Sequence, residues 1–376
     1  MAAAPSAALK RRHDAVRASI AAQSLDALIL TALPNILYLT NFTGSSAIVV
    51  LEPDRLRFLT DSRYVTSIEE TRGTASECSG LRLEVVAGSY DSSLAQVIRG
   101  LGATRVGFEA ANLTVSRFDW LRATIGSHPE LVGTQGIVER ARVRKDEYEL
   151  EVFREAGRRL TTVAEDVFTI VKAGRTEEEV AADIDWRLRR AGFEKPAFDT
   201  IVASGPRAAL PHARPSGRRL SEGDVVVLDF GGVYASYCVD LTRTVALGRA
   251  TARAREVHQA VLAAQQQAIA AVAPGVSRFA VDGAARAALE RAGMAEAFGH
   301  GTGHGLGIEI HEDPRVVHRR PGVDTRDESL EVGMVFTVEP GAYFPGWGGV
   351  RIEDDVIVTE RGAERITTVT NELLEL

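Results

Sequence analysis

Apolar and polar positions alternate along this chain in two rhythms. Residues 8–23 place Leu9, Val16, Ile20 and Ala21 on one face at helical spacing, which predicts an amphipathic helix. The unbroken run Ala27-Leu28-Ile29-Leu30 predicts a buried strand, and residues 35–44 (NILYLTNFTG) read as a turn with a short segment. Residues 47–51 and 55–60 form a hairpin pattern across Pro53-Asp54. Residues 81–86 and 105–108 are further strands, with a helix over 92–101 between them. Strands alternating with helices predict an α/β domain. From Gly136 a charged stretch, VERARVRKDEYEL, runs into a long helix over about 145–172. Pro and Gly are scarce there, so it reads as a short connection between domains spanning 1–140 and 141–376.

The second domain contains an internal repeat. A segment from Gly174 to Gly192 matches one from Gly275 to Gly293 at constant offset, setting Val180 on Val281 and Leu188 on Leu289. Each copy has a polar entry, a helical period and a Gly stop, and a long helix precedes each. Each is followed by an apolar run that ends in an acid: GDVVVLD to Asp229 and GMVFTVE to Glu339. A Gly-containing turn and a second acid come next, Asp240 in one copy and Glu353 in the other. The stretch from Asp224 to Val245 predicts two antiparallel strands, with Gly231-Gly232 breaking the first. Taken alone, Asp229 reads equally well as a strand-end turn residue and Asp240 as a solvated one. The repeat changes that balance: two αα-then-β halves would bring four carboxylates to a shared centre. Unpaired, they would repel one another and stay protonated; a bound cation removes the conflict.

Composition narrows the class. The 376 residues are 45% hydrophobic and 25% charged, as in a soluble globular protein, and two domains are the natural count for this length. The formal net charge is −7 and no basic block suggests nucleic acid. No apolar run approaches a membrane span and the N-terminus has no secretory h-region. Cys78 and Cys238 fall in different domains and form neither a disulfide framework nor a metal motif, so a cytoplasmic protein with free thiols is expected. His13, His128, His258 and His318 read as surface histidines.

His304, within the Gly-rich run HGTGHGLG, completes a set with Asp229, Asp240, Glu339 and Glu353. Four carboxylates and one imidazole form a hard donor set that suits Mn²⁺, with Co²⁺, Zn²⁺ or Fe²⁺ as alternatives. Four negative charges exceed what one divalent ion needs, so two ions are expected.

These motifs, with IEIHEDP, FTVEPG, VRIED and the spacing from Asp229 to Asp240, resemble the pita-bread metallopeptidases. That group holds aminopeptidase P, prolidase, methionine aminopeptidase and the metal-free creatinases. YLTNFTGS and LTDSRY in the first domain resemble the creatinase-type domain of aminopeptidase P and prolidase. The resemblance implies an α/β (α+β) chain: a creatinase-like domain, then a pseudo-twofold pita-bread domain whose curved antiparallel sheet is flanked by helices. It implies that Asp229 binds one ion, that Asp240 and Glu353 bridge two, and that His304 and Glu339 complete the ligands of the second ion. Glu339 would also shuttle a proton for a solvent nucleophile held between the ions. His212 would position substrate and leaving nitrogen, His311 would stabilise the tetrahedral intermediate, and His300 would line the pocket. Arg351 would stand beside the bridging Glu353. Arg207 departs from the family, where a small polar residue is common, and leaves that loop's substrate contact open.

The function expected is hydrolysis of N-terminal Xaa-Pro bonds, whose tertiary amide lacks the N–H that general peptidases use. The alternative is a prolidase restricted to dipeptides, for which Arg315, Arg319 or Arg320 could meet the product carboxylate. A metal-free creatinase-type hydrolase or a binding module would lose ligands, and all five are present. The expected partners are a peptide with proline second and a second copy of the chain. Phe198, Tyr343 and Trp347 shape a proline pocket or belong to the core.

Overall fold

The structure is a computed structural model that describes residues 3–319 and 327–376; Arg320 lies outside the described residues. The chain divides into two compact units, Met1–Arg142 and Val143–Leu376.

The first unit is built on a six-stranded mixed sheet. Strand Ala27–Leu30, buried along its length, pairs antiparallel with Ile48–Leu51 and parallel with Arg105–Glu109. Leu56–Thr60 and Leu81–Val85 extend one side and Glu130–Thr134 the other. Ile29, Val50 and Leu59 pack with Leu94, Ile98 and Leu121 from the covering helices. The segment expected to be a turn is a helix, Leu33–Thr40. Pro34 sits in its first turn and Asn41, at φ 63°, ends it in the left-handed region, so two helix signals were hidden inside one short run. His13 is buried rather than on the surface, because its Nε2 bonds the carbonyl of Leu39 at 2.7 Å.

The second unit displays the repeat in space. Helices Glu147–Phe168 and Glu177–Arg190 belong to one half; Ala252–Ala270 and Arg278–Arg291 belong to the other. Asp146, Thr176, Thr251 and Ser277 cap their N-termini with side-chain oxygens. Each half repeats one tie: Gly174 N–H donates to Leu220 O and Gly275 N–H to Leu330 O, both at 2.8 Å.

The hairpin Val225–Tyr234/Tyr237–Ala246 is longer than expected. The strand runs through Gly231 and Gly232, and the turn falls at Ala235-Ser236, both at positive φ. The glycines serve close packing instead: a Cβ at Gly231 would lie 2.1 Å from Val239 O. Lys195–Pro196 and Ile201–Ser204 pair with the hairpin's other edge. In the second half, Glu312–Val316, Gly303–Gly305, Val335–Val338, Asp354–Thr359 and Gly362–Arg365 form a five-stranded antiparallel sheet. The halves meet where Glu353 N–H donates to Thr242 O at 3.1 Å and Asp240 N–H to the Asp355 carboxylate at 2.9 Å.

Candidate metal centre

Asp229 and Asp240 project from the first hairpin; Glu339 and Glu353 flank the matching strands of the second half; His304 lies on the short strand between. Ligand atoms of Asp240, His304 and Glu353 lie within 4.8 Å of one another. His304 Nε2 is 3.6 Å from Glu339 Oε1. Gly303 permits this approach, since a Cβ there would sit 1.8 Å from Thr337 O.

The electrostatics of this cluster are unfavourable without a cation. Burial, then repulsion from Asp229, Asp355 and Glu339, holds the Asp240 carboxyl well above the usual carboxylate range. Burial and the charges of Asp240, Glu339 and Asp229 do the same to Glu353. Burial pushes Glu339 up to about 7, against the pull of Arg351. His304 is lowered to about 3 by burial and by His311. The Nδ1 of His304 faces Gly305 O at 3.2 Å, and a carbonyl only accepts, so that nitrogen carries the proton and Nε2 presents a lone pair. Asp229 Oδ1 is buried with no hydrogen-bond partner among the described residues. An orphaned carboxylate oxygen, a lone-pair imidazole and crowded acids fit a divalent cation.

The cluster floors a cavity of about 440 Å³ whose lining includes Phe198, His212, His300, His311 and Arg315. His311 packs edge-on against His304, with ring centroids 4.4 Å apart. Both nitrogens of His300 are engaged, Nδ1 with Gly301 O at 2.8 Å and Nε2 with Tyr343 Oη at 2.9 Å.

The comparisons with known proteins agree with this geometry. Residues 151–360 match the model of Metallopeptidase family M24, and residues 12–144 match the Creatinase/Prolidase N-terminal domain. The chain is a family M24 metallopeptidase. Its fold superposes on an Xaa-Pro dipeptidase from Bacillus anthracis with TM-score 0.92 at 36% identity, covering 98% of this chain and 100% of that one. An X-Pro aminopeptidase from Thermotoga maritima gives TM-score 0.86 at 34% identity, covering 94% of this chain and 98% of that one. The Xaa-Pro dipeptidase of Pyrococcus furiosus is 41% identical over 239 residues, 63% of this chain and 67% of its own length. The fold is therefore the creatinase-like domain followed by the pita-bread domain. Among the described residues, no helix is long and apolar enough to cross a membrane.

In this M24 metallopeptidase Arg351 does not stand directly on Glu353. It pairs with Asp229 Oδ2 and donates to Tyr343 Oη at 2.9 Å and Pro211 O at 3.1 Å. It reaches Glu353 through Thr242: Arg351 Nε donates to Thr242 Oγ1 at 3.1 Å, and that hydroxyl donates to Glu353. Sequence reading missed Thr242, because a threonine in a strand has no chemical signature. It also missed Asp355, which holds the backbone of Asp240. Arg207 turns away from the cavity: its Nε bonds the fully buried Glu177 at 2.9 Å and it donates to Arg214 O. Trp347 is half-buried against the core, edge-on to Phe344 with the Arg253 guanidinium over its ring. His258, expected at the surface, is buried.

Proposed function

We propose that this protein is an Xaa-Pro dipeptidase whose two divalent ions, Mn²⁺ first, are held by Asp229, Asp240, His304, Glu339 and Glu353. The observation that carries the dipeptide preference is Arg315. It lies across the strand pair from His304 and lines the cavity. Its charge depresses both His304 and His311, yet it has no carboxylate partner among the described residues. A free guanidinium in such a place suits the carboxylate that only a dipeptide presents one residue beyond the scissile bond. The dipeptidases among the relatives support the same reading. Arg319 is instead set over Phe279. The hydrolysis of longer peptides has the X-Pro aminopeptidase of Thermotoga maritima behind it.

When bound, the ions supply Lewis-acid polarisation and a water acidic enough to ionise near neutrality. The chain supplies the rest. Glu339 would take a proton and return it to the departing proline nitrogen. His311, lowered by burial and Arg315, is neutral at pH 7 and suited to donate a hydrogen bond to the carbonyl oxygen as charge develops there. His212 stands at the cavity's edge to contact the proline side. His300 and Arg351 hold Tyr343 and Asp229 in place. The two free, buried cysteines suit a reducing cytoplasm.

The test compares Ala-Pro, Ala-Pro-Ala and Ala-Ala with the Mn²⁺-loaded protein. Ala-Pro is expected to exceed Ala-Pro-Ala in kcat/KM, and Arg315→Met to raise KM for Ala-Pro by roughly tenfold or more while sparing the tripeptide. Equal rates on dipeptide and tripeptide would return the reading to aminopeptidase P; release of alanine from Ala-Ala but not Ala-Pro would remove both.

A further inference from the structure

Lys195–Pro196 pairs with Val233 and Gly232, while Ile201–Ser204 begins opposite Asp229. Between these paired segments the chain makes a bulge over residues 197–200, beside the strand that carries Asp229. Three contacts fix it. Ala197 N–H donates to Gly231 O at 3.1 Å. Phe198 lies against Gly231, where a Cβ would come within 2.9 Å of its ring. Thr200 Oγ1 donates to Asp185 Oδ1 at 2.6 Å. Bulges of this kind re-aim a side chain out of a ladder, and Asp199 is set at the cavity wall with Phe198 and Ile201.

Five carboxylates line that cavity: Asp199, Asp229, Asp240, Glu339 and Glu353. Four belong to the metal cluster. Asp199 has no hydrogen bond or ion pair among the described residues, so its charge is available to a ligand. Unpaired positive charge lines the same cavity, from Arg214 and from Arg315 on strand Glu312–Val316. The cavity therefore offers an unpaired anion and unpaired cations together with the metal cluster. An Xaa-Pro dipeptide is a zwitterion, with an ammonium on one side of its single amide and a carboxylate on the other.

We propose that Asp199 is the specificity residue for the substrate's free α-ammonium, so that this site selects peptides with an unblocked first residue. The assignment rests on the Xaa-Pro exopeptidase reading. It holds for dipeptides and longer peptides alike, since both present the ammonium. The carboxylate accepts from the ammonium without proton transfer, and orients the first residue so that its carbonyl faces the cluster. An N-acylated or deaminated substrate loses this contact and leaves Asp199 without its partner.

The experiment uses the Mn²⁺-loaded protein with Ala-Pro and with propionyl-proline, which differs only in lacking the amine. Affinities are read by calorimetry in a His311→Ala background, which keeps all five proposed metal ligands, so that amine preference is scored whether or not the unmodified protein turns over Ala-Pro. Turnover of Ala-Pro by the unmodified protein is scored separately and tests the peptidase reading itself. With Asp199 present, Ala-Pro is expected to bind roughly ten- to hundredfold tighter than propionyl-proline. Asp199→Asn should remove most of that difference by weakening Ala-Pro alone, and Asp199→Glu should restore part of it. In the active protein Asp199→Asn should act mainly on KM. Equal affinities for the two ligands with Asp199 present, or a loss in Asp199→Asn that falls on both equally, would overturn the assignment.

Discussion

Thr242 offers the sharpest test of how the cluster is held. Its hydroxyl is fully buried and has one proton, which goes to Glu353; its lone pair accepts from Arg351 Nε at 3.1 Å. Thr242→Val replaces that hydroxyl with a methyl of the same shape, so packing is conserved and two hydrogen bonds to ionisable groups are lost. Each such bond contributes about 1.5–3 kcal/mol, and an unpaired buried partner retains its desolvation cost. Part of that loss is common to the metal-free and metal-loaded protein. The part that orients Glu353 is felt only on loading, and partners of metal ligands typically account for about 10–100-fold in metal affinity or activity. The Mn²⁺ titration of Thr242→Val should therefore weaken by about 10–100-fold at the weaker site, read by calorimetry. Thr242→Ser should stay within a few-fold of the parent, and the circular dichroism of both should match it. Activity should recover partly at high Mn²⁺. A folded Thr242→Val protein with unchanged Mn²⁺ affinity and full turnover would refute the relay from Arg351 to Glu353.

Arg243, 3% exposed, ties the metal-bearing strands to the C-terminal segment through Asp354, Thr370 O, Val369 O and Asn371. Arg243→Met should cost about 3–5 kcal/mol in urea unfolding, with Arg243→Met/Asp354→Asn less destabilised than the single change; a loss below about 1 kcal/mol would contradict the clamp. His258 is depressed to about 4 by burial and by the Arg243 guanidinium. From its usual 6.5 down to about 4 the unfolded chain takes up a proton that the folded chain refuses, so stability is present above pH 6.5 and falls as pH falls. His258→Leu should flatten that slope by up to about 1.4 kcal/mol per pH unit, measured by unfolding at pH 7.5 and 5. Glu339 near 7 and the raised Asp240 and Glu353 hold protons that a cation must displace. Calorimetry in buffers of differing ionisation enthalpy should show Mn²⁺ binding releasing more protons at pH 6 than at pH 8.5, and equal release would argue against the crowded-acid description.

Asp229, Asp240, Glu339 and Glu353 stood out as candidates because each acid interrupts an apolar strand pattern, where an ionised group has no ordinary reason to be, and because the repeat sets one half's pair against the other's; the structure brings ligand atoms of Asp240 and Glu353 together with His304. His304 was legible through the glycines that surround it. The residues that escaped share a different property: they are polar groups whose meaning depends on a partner distant in sequence. Thr242 and Glu353 are 111 positions apart and Arg351 and Asp229 122 apart, so neither contact leaves a local pattern. Asp199 carries no local sequence signal, and the bulge that sets it apart shows only in the pairing of both its flanks with one strand. His258 sits in an Ala- and Gln-rich helix whose apolar face is weakly marked, so periodicity did not reveal which side was buried. Arg207 is a question that the sequence left open. It departs from the family motif, and buried Glu177 captures its guanidinium. A side chain's nearest unmet charge, more than its motif, decides where it points. By the same rule Arg214, Arg315 and Asp199, whose charged groups have no protein partner among the described residues, are side chains this cavity leaves for a substrate.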